Sequence, residues 1–399
     1  RQPAVLDLPD EWKVTKIDVP ADSAPLISTV DIRAALENPI GMQPLSELAI
    51  GKKKVCIVFD DASRPTPAGD VSEVILEILL NAGVKKENIF FLCATGSHGV
   101  HNRKQFSDKL GEKILDQYLV LNHDCHEKCT SVGISKEGVE IKVNNEFLSS
   151  DLRIGIGSII PHGMSGFSGG YRMLIPGLCQ LDTIEGVHIL VNEHMAKSGD
   201  MLALSGHKEN MMMQDMISEM GRLTGEFFKI DCVVNSKSEL VSLFAGDPYE
   251  EYKVAAEYGE KMYLIPKPSE PNADLVIANA NSKVSYAGSG IFVAKPFLSP
   301  NGGDIVLVNF ALEGQIPHYL RGYWGDNSQP RIPVIPARSD QKVIYYSPYG
   351  DFNATYGLHQ EKATNFIRVK TWDEVLHNLT KNEPGMKVIV LSEATLAAI

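Results

Sequence analysis

Apolar positions in this chain come in short unbroken runs rather than in strict alternation. KKKVCIVFDD, from Lys52, holds a β-branched apolar stretch closed on both sides by charge, the pattern of a strand buried on both faces. DASRPTP follows as a loop. Asp70-Val-Ser-Glu73 reads as a capping box, and VILEILLNAG continues as an amphipathic helix ending at Gly83. NIFFLCATG is the next strand, so the unit is strand–helix–strand with parallel strands and a right-handed crossover. A second helix, from Arg103 to about Leu115, leads to the strand QYLVLNHD. The polar, hairpin-like SKEGVEIKVNNEF precedes a further strand, DLRIGIGSII. Asp182-Thr-Ile-Glu185 is a second capping box and opens a helix carrying His188. After the linker KPSEPNA the strand pattern resumes with ADLVIANANS, NGGDIVLVNF, KVIYYSP and MKVIVLSE. The expected fold class is α/β, with two α/β domains of parallel-rich sheets, residues 1–269 and 270–399. No internal repeat stands out.

Composition narrows the function classes. The length of 399 residues fits two or three domains, and 44% hydrophobic with 22% charged residues is ordinary for a globular protein. A formal net charge of -12 argues against a nucleic-acid binder, which needs a basic footprint. The chain has no apolar run long enough to span a bilayer, so no membrane partner is expected. No signal peptide is visible; the sequence starts at Arg1, which leaves a removed leader open. The six cysteines, Cys56, Cys93, Cys125, Cys129, Cys179 and Cys232, are thinly spread, and two lie inside strand runs. They read as buried thiols of a cytoplasmic protein.

In open parallel sheets the usable crevice lies outside the carboxyl ends of the strands. Here those ends carry Asp60, Asp61 and Arg64 after the first strand, His98 after the second, His123 and Asp124 after the third, and His162 after DLRIGIGSII. Histidines converging on one rim suit general acid–base chemistry. An arginine beside them suits a carboxylate, which its planar fork binds through two hydrogen bonds. The glycine- and serine-rich run after His162 allows backbone N–H groups to approach a phosphate. Together these point to an enzyme for a small carboxylic acid with a phosphate-bearing cofactor. A competing cluster, HDCHEKC from His123 to Cys129, has zinc-ligand residue types but lacks the two separated pairs of a structural zinc site. The short GIG in DLRIGIG lacks the full dinucleotide-binding pattern.

DDASRPTP, CATGSHG, NHDC and PHGMSGFSGGYRMLIPG, followed by DTIEGVH, resemble the nickel-dependent lactate racemase family. The resemblance runs in order through most of the first domain and is looser in the second. It implies two α/β domains with the active site between them. It also implies a nickel-pincer nucleotide, supplied by cofactor-biosynthesis enzymes, in which nickel is held by two sulfurs, a ring carbon and one histidine. A 2-hydroxy acid loses its hydroxyl proton to a histidine and a hydride to the pyridinium ring; the keto acid rotates and the hydride returns to the other face. By this resemblance His98 and His162 match the acid–base pair and His188 the metal ligand. Arg64 and Tyr286 match substrate-binding residues. Asp61, Ser168, Gly169 and Gly170 match cofactor-binding positions.

Three departures qualify the match. Arg172 stands where the family's lactate racemases have a lysine that forms a thioamide with the cofactor, and a guanidinium offers no comparable amine. The implied cofactor is therefore untethered, with Arg172 as an ionic cofactor-binding partner. Gly290 falls where a second carboxylate-binding lysine is expected, with Lys283 and Lys295 nearby but out of register, and Gly99 replaces a basic residue after His98. These changes imply a hydroxy acid other than lactate. The expected function is a racemase or epimerase of a 2-hydroxy acid. The alternatives are a non-catalytic relative that binds the cofactor or a small acid, and a metal hydrolase built on HDCHEKC. The oligomeric state is not legible.

Overall fold

The computed structural model describes residues 6–163, 165–198, 205–208, 211–283, 287–312, 314, 342–351, 355 and 365–399. Contacts divide the described chain into two compact units. One spans Ser23–Tyr263; the other joins the segment before Ser23 to the segment from Leu264 onward. Strand β1 (Lys13–Ile17) therefore belongs to the second unit.

The first unit contains β2 (Val55–Asp60), β3 (Ile89–Ala94), β4 (Leu119–Asn122), a hairpin of β5 (Cys129–Ile134) and β6 (Glu140–Asn144), then β7 (Leu152–Ser158). A two-residue pair, β8 (Pro161–His162) and β9 (Gly166–Phe167), follows, and β10 (Phe228–Val234) and β11 (Leu240–Gly246) close the unit. Its main sheet has the order β11-β10-β7-β2-β3-β4, parallel except for β11. The apolar runs form central strands because helices and loops cover both faces. Val55, Ile57 and Phe59 pack with the helix Ala68–Asn81, while Cys56 and Val58 face Ile141, Val143 and Leu174 on the other side. From β2 the chain moves outward to β3 and β4, then returns to β7 on the opposite flank. The strand order thus reverses between β2 and β7, the place where an α/β sheet opens a crevice.

Both expected capping boxes shift. The helix Ala68–Asn81 starts behind Pro67 and the helix Leu181–Ser198 starts at Leu181, so Asp70 and Asp182 lie inside their first turns and complement the helix dipole there. A capping box does form at Asn102 and Gln105, opening the helix Arg103–Leu110; Gly111, at φ +84°, ends that helix before a short one, Glu112–Leu115.

The second unit holds β12 (Leu275–Asn279), β13 (Asp304–Val308), β14 (Val343–Tyr346), β15 (Phe366–Val369) and β16 (Lys387–Leu391). With β1 they form a parallel sheet of order β1-β16-β12-β13-β14-β15. The ladder of β1 on β16 carries the described residues before Ser23 into this unit, whereas the boundary read from sequence, at 269/270, groups them with the N-terminal domain. Among the described residues no helix is long and apolar enough to cross a membrane. All six cysteines are free thiols, and five are buried.

Candidate active site

The carboxyl ends of β2, β3 and β7 are cross-linked by polar contacts. Thr66, after β2, bonds through its hydroxyl to Asp60 and to Ser158 at the end of β7. Gly96, after β3, donates its N–H to the carbonyl of Gly177, 2.9 Å away, joining that loop to the segment carrying Arg172. Residues scattered in sequence thus share one rim, across the point where strand order reverses.

On the β2–β3 side, His98 Nδ1 hydrogen-bonds Asp61 Oδ2. The other Asp61 oxygen accepts from the Ser63 N–H at 2.9 Å and from the Ser63 hydroxyl. Burial pushes the Asp61 carboxyl up, but His98, Arg64 and Ser63 together outweigh it and hold the group well below the usual carboxylate range. Asp61 thus stays ionised, and His98 carries its hydrogen on Nδ1. Arg64 is half-buried and is oriented through Nη1 by the Ser63 hydroxyl at 2.9 Å.

Two residues that sequence reasoning missed hold this loop. His101 Nε2 accepts from the Ala62 N–H at 2.9 Å, tying the β3 loop to the β2 loop; burial depresses its pKa, consistent with a neutral acceptor. Lys109, nearly buried on the helix Arg103–Leu110, pairs with Asp60 at 2.6 Å and donates to the Arg64 carbonyl at 2.8 Å. The signal for Lys109 was faint: it is one of two lysines on a mostly polar helix, and nothing local sets it apart from exposed Lys104.

On the β7 side, His162 lies on β8. Its Nδ1 is 3.1 Å from the Ser165 hydroxyl and its Nε2 is 3.1 Å from Arg172 Nη2. Arg172 Nη1 donates to the same hydroxyl at 3.1 Å. The glycine-rich run owes its glycines largely to the fold. A Cβ at Gly169, whose φ is +105°, would stand 2.5 Å from Asp231 Oδ2, and Gly170 donates its N–H to that oxygen at 2.7 Å. The Ser168 hydroxyl is likewise turned inward, onto the Ser158 carbonyl at 2.6 Å. Beneath the loop Asp231 pairs with Lys229, both fully buried, and Glu251 is buried beside them, its carboxyl pushed far up by burial and by Asp231. The signal for this cluster was present in FKIDCVV, where Lys229 and Asp231 face the same side of an otherwise apolar strand.

His188 lies on the helix Leu181–Ser198, where its Nδ1–H donates to the Ile184 carbonyl at 2.7 Å. That bond leaves Nε2 as the nitrogen with ligand character, the usual way a metal-binding histidine is oriented. His123 turns away from this chemistry. It is buried, with Nε2–H on the Cys179 carbonyl at 2.8 Å and Nδ1 accepting from Asn144 at 3.1 Å; burial pushes its pKa down to about 4. The rest of HDCHEKC gathers no metal site: among the described residues no group of three or more His, Cys, Asp or Glu side chains is placed to hold an ion.

In the second unit, Tyr286 lies outside the described residues. Gly290 is buried on the helix Ser289–Ala294, and a Cβ there points at Ala394, Leu307 and Ala280, 3.2–3.7 Å away. A long cation would enter packed apolar atoms at that position. Lys295 lies over the Phe292 ring, and Lys283 is nearly buried beside Thr395. Buried Glu393 accepts from the Ser282 and Thr395 N–H groups at 3.0 and 2.9 Å, and Asn309 accepts from the Tyr345 hydroxyl at 2.7 Å.

Comparison with known proteins gives a consistent set of relatives. Residues 1–199 match the model of the lactate racemase N-terminal domain. A lactate racemase of Lactiplantibacillus plantarum is 27% identical over 396 residues, covering 91% of this chain and 88% of that protein. A lactate racemase of Thermoanaerobacterium thermosaccharolyticum is 30% identical over 282 residues, covering 68% of this chain and 63% of that protein. Among solved structures, the lactate racemase apoprotein from T. thermosaccharolyticum superposes with a TM-score of 0.71 at 21% identity, over 98% of this chain and 96% of that one. A protein from Thermotoga maritima superposes with a TM-score of 0.65 at 18% identity, over 95% and 99%.

Proposed function

Since this chain belongs to the lactate racemase family and is thereby a racemase, an isomerase by reaction class, we propose that it inverts the carbinol carbon of a small 2-hydroxy acid with a nickel-pincer nucleotide held without a covalent tether. The observation that carries this reading is the pair His98 and His162, at strand ends on either side of β2, each with its ring fixed by a charged neighbour.

The residues present fit such a cofactor. His188 supplies one neutral imidazole with its tautomer set, as a single protein ligand to the metal requires. Arg172 supplies a permanent cation for an acidic arm but no amine for acylation. When bound, the cofactor supplies a reversible hydride acceptor for C2 of the substrate.

The chain's own residues do the rest. Arg64, aimed by Ser63, takes the substrate carboxylate through its fork. For one enantiomer, His98 Nε2 removes the hydroxyl proton, and ionised Asp61 compensates the charge that the ring gains. Loss of that proton and of the C2 hydride leaves a planar keto acid. With that acceptor bound, the keto acid would rotate and regain its hydride on the other face, and His162, having first taken up a proton from solvent at Nε2, would give it to the oxygen. His98 then returns its proton to solvent, which offsets the one His162 took up, so no net proton or electron is consumed.

The test is chiral product analysis on protein made together with cofactor-building enzymes, with nickel per chain and intact mass measured on the same sample. Interconversion of both enantiomers, with nickel near one per chain and no adduct after denaturation, is the expected result. Bound nickel with no inversion of any 2-hydroxy acid points instead to a cofactor-binding relative.

A further inference from the structure

We propose that Arg172 is a positioning residue that latches His162, and that an oxyanion entering the site releases the imidazole for proton transfer. The inference rests on the acid–base reading of His162 above. It adds which ring nitrogen reacts and what must move first.

Counting hydrogens around Ser165 fixes the ring. The Ser165 hydroxyl has one hydrogen, and the Phe167 carbonyl, 2.6 Å away, can only accept it. The same oxygen therefore accepts from Arg172 Nη1 and from His162 Nδ1, so Nδ1 carries a hydrogen. Independently, Arg172 Nη2 faces His162 Nε2, and a guanidinium has no acceptor, so Nε2 presents its lone pair. Two arguments from different neighbours give one neutral tautomer.

The arrangement is well supported. Ser165 is fully buried, and its carbonyl accepts from the hydroxyl of buried Tyr252 at 3.1 Å. Arg172 follows the turn in which Asp231 grips the Gly170 N–H.

The basic nitrogen is thus the one that the guanidinium covers. A proton arriving at Nε2 would meet an N–H donor, so His162 exchanges protons there only after Arg172 withdraws. An oxyanion is what a guanidinium prefers to a neutral ring nitrogen, because it accepts two charge-assisted bonds. With Arg64 committed to the substrate carboxylate, the oxyanion for Arg172 is a second one. It comes either from a second acid group on the substrate or from an acidic group of the bound cofactor.

Two-bond 1H–15N correlation spectra of the full chain, labelled with 15N-histidine and free of cofactor, read the tautomer directly, with His162 assigned by its loss in His162→Gln. The wild type is expected to show the Nδ1–H pattern alone. Arg172→Gln and Ser165→Ala are each expected to lose that single signature. An Nε2–H pattern in the wild type overturns the latch, and needs no variant to fold; so does a pattern unchanged in Arg172→Gln. The source of the oxyanion is read on cofactor-loaded wild type. Loss of the signature on loading alone assigns release to the cofactor. Loss only with malate, and not with lactate, assigns it to a second substrate carboxylate. If loading, malate and lactate all leave the signature intact, the latch is wrong. Chiral inversion is followed in parallel. A released His162 without inversion sinks the racemase reading and leaves the latch standing.

Discussion

His98 and His162 stand at strand ends on opposite flanks of β2, yet their rings are held by opposite charges. His98 leans on a carboxylate that remains ionised, so a proton arriving at its far nitrogen finds compensation. His162 leans on a guanidinium that caps the nitrogen with the lone pair. The lesson is that two histidines carried over from one family motif need not be equivalent, because their neighbours carry opposite charges. A third strand-end histidine, His123, is the control, because it is buried among neutral partners and serves the fold.

The largest expected effect breaks the His98 side. Asp61→Asn keeps the shape but removes the compensating charge, and inversion should fall by about 10²–10⁴-fold, the range of a positioned acid–base group. Single-turnover chiral analysis in which Asp61→Asn stays within a few fold of wild type would remove Asp61 from the mechanism. Next comes the support beneath the His162 side. Asp231→Asn leaves Lys229 buried without its counter-charge, at a cost of about 3–5 kcal/mol. Urea midpoints measure this, and a change under about 1 kcal/mol would show that Glu251 ionises in its place.

The control histidine sharpens the contrast through pH. His123 titrates near 4 in the fold against 6.5 when unfolded, so the unfolded chain binds more protons between those values. Stability is therefore lost as pH falls through that window, by about 3 kcal/mol for this one group. His123→Gln should flatten the acid limb of a stability–pH curve, and an unchanged slope would mean that His123 is not buried neutral. The smallest effect belongs to His101→Ala, which orphans the Ala62 N–H at about 1–3 kcal/mol. Thermal unfolding should register that loss, with KM for the hydroxy acid raised if the Arg64 loop shifts with it.

Much of this was legible before the fold was known, for identifiable reasons. VCIVF and IFFLCA announced buried parallel strands because a strand covered on both faces has no room for polar positions. The strand-end residues followed, since chain order alone puts them at carboxyl ends. Other features stayed hidden because their partners are remote in sequence. Strand β1, KVTKI, is mostly exposed and polar, and only its ladder with β16 makes it part of a sheet. The Asp231–Gly170 bond spans 61 residues, so the glycines read as room for a phosphate when the protein itself takes up much of that room.

By itself, the sequence determined the α/β class, the run of strands, the histidines and Arg64 at their ends, and the arginine at position 172. Each of these is a property of residue type and local order. Only the tertiary structure decided what each ring faces: a carboxylate at His98, a guanidinium at His162, a helix carbonyl at His188 and a core carbonyl at His123. The physical reason is that a histidine's tautomer and charge are set by atoms within about 3 Å, at hydrogen-bond distance. For His98 and His123 that neighbour arrives from another part of the chain; at His162 it lies ten residues on in the same glycine-rich run, and at His188 it is one turn away on its own helix.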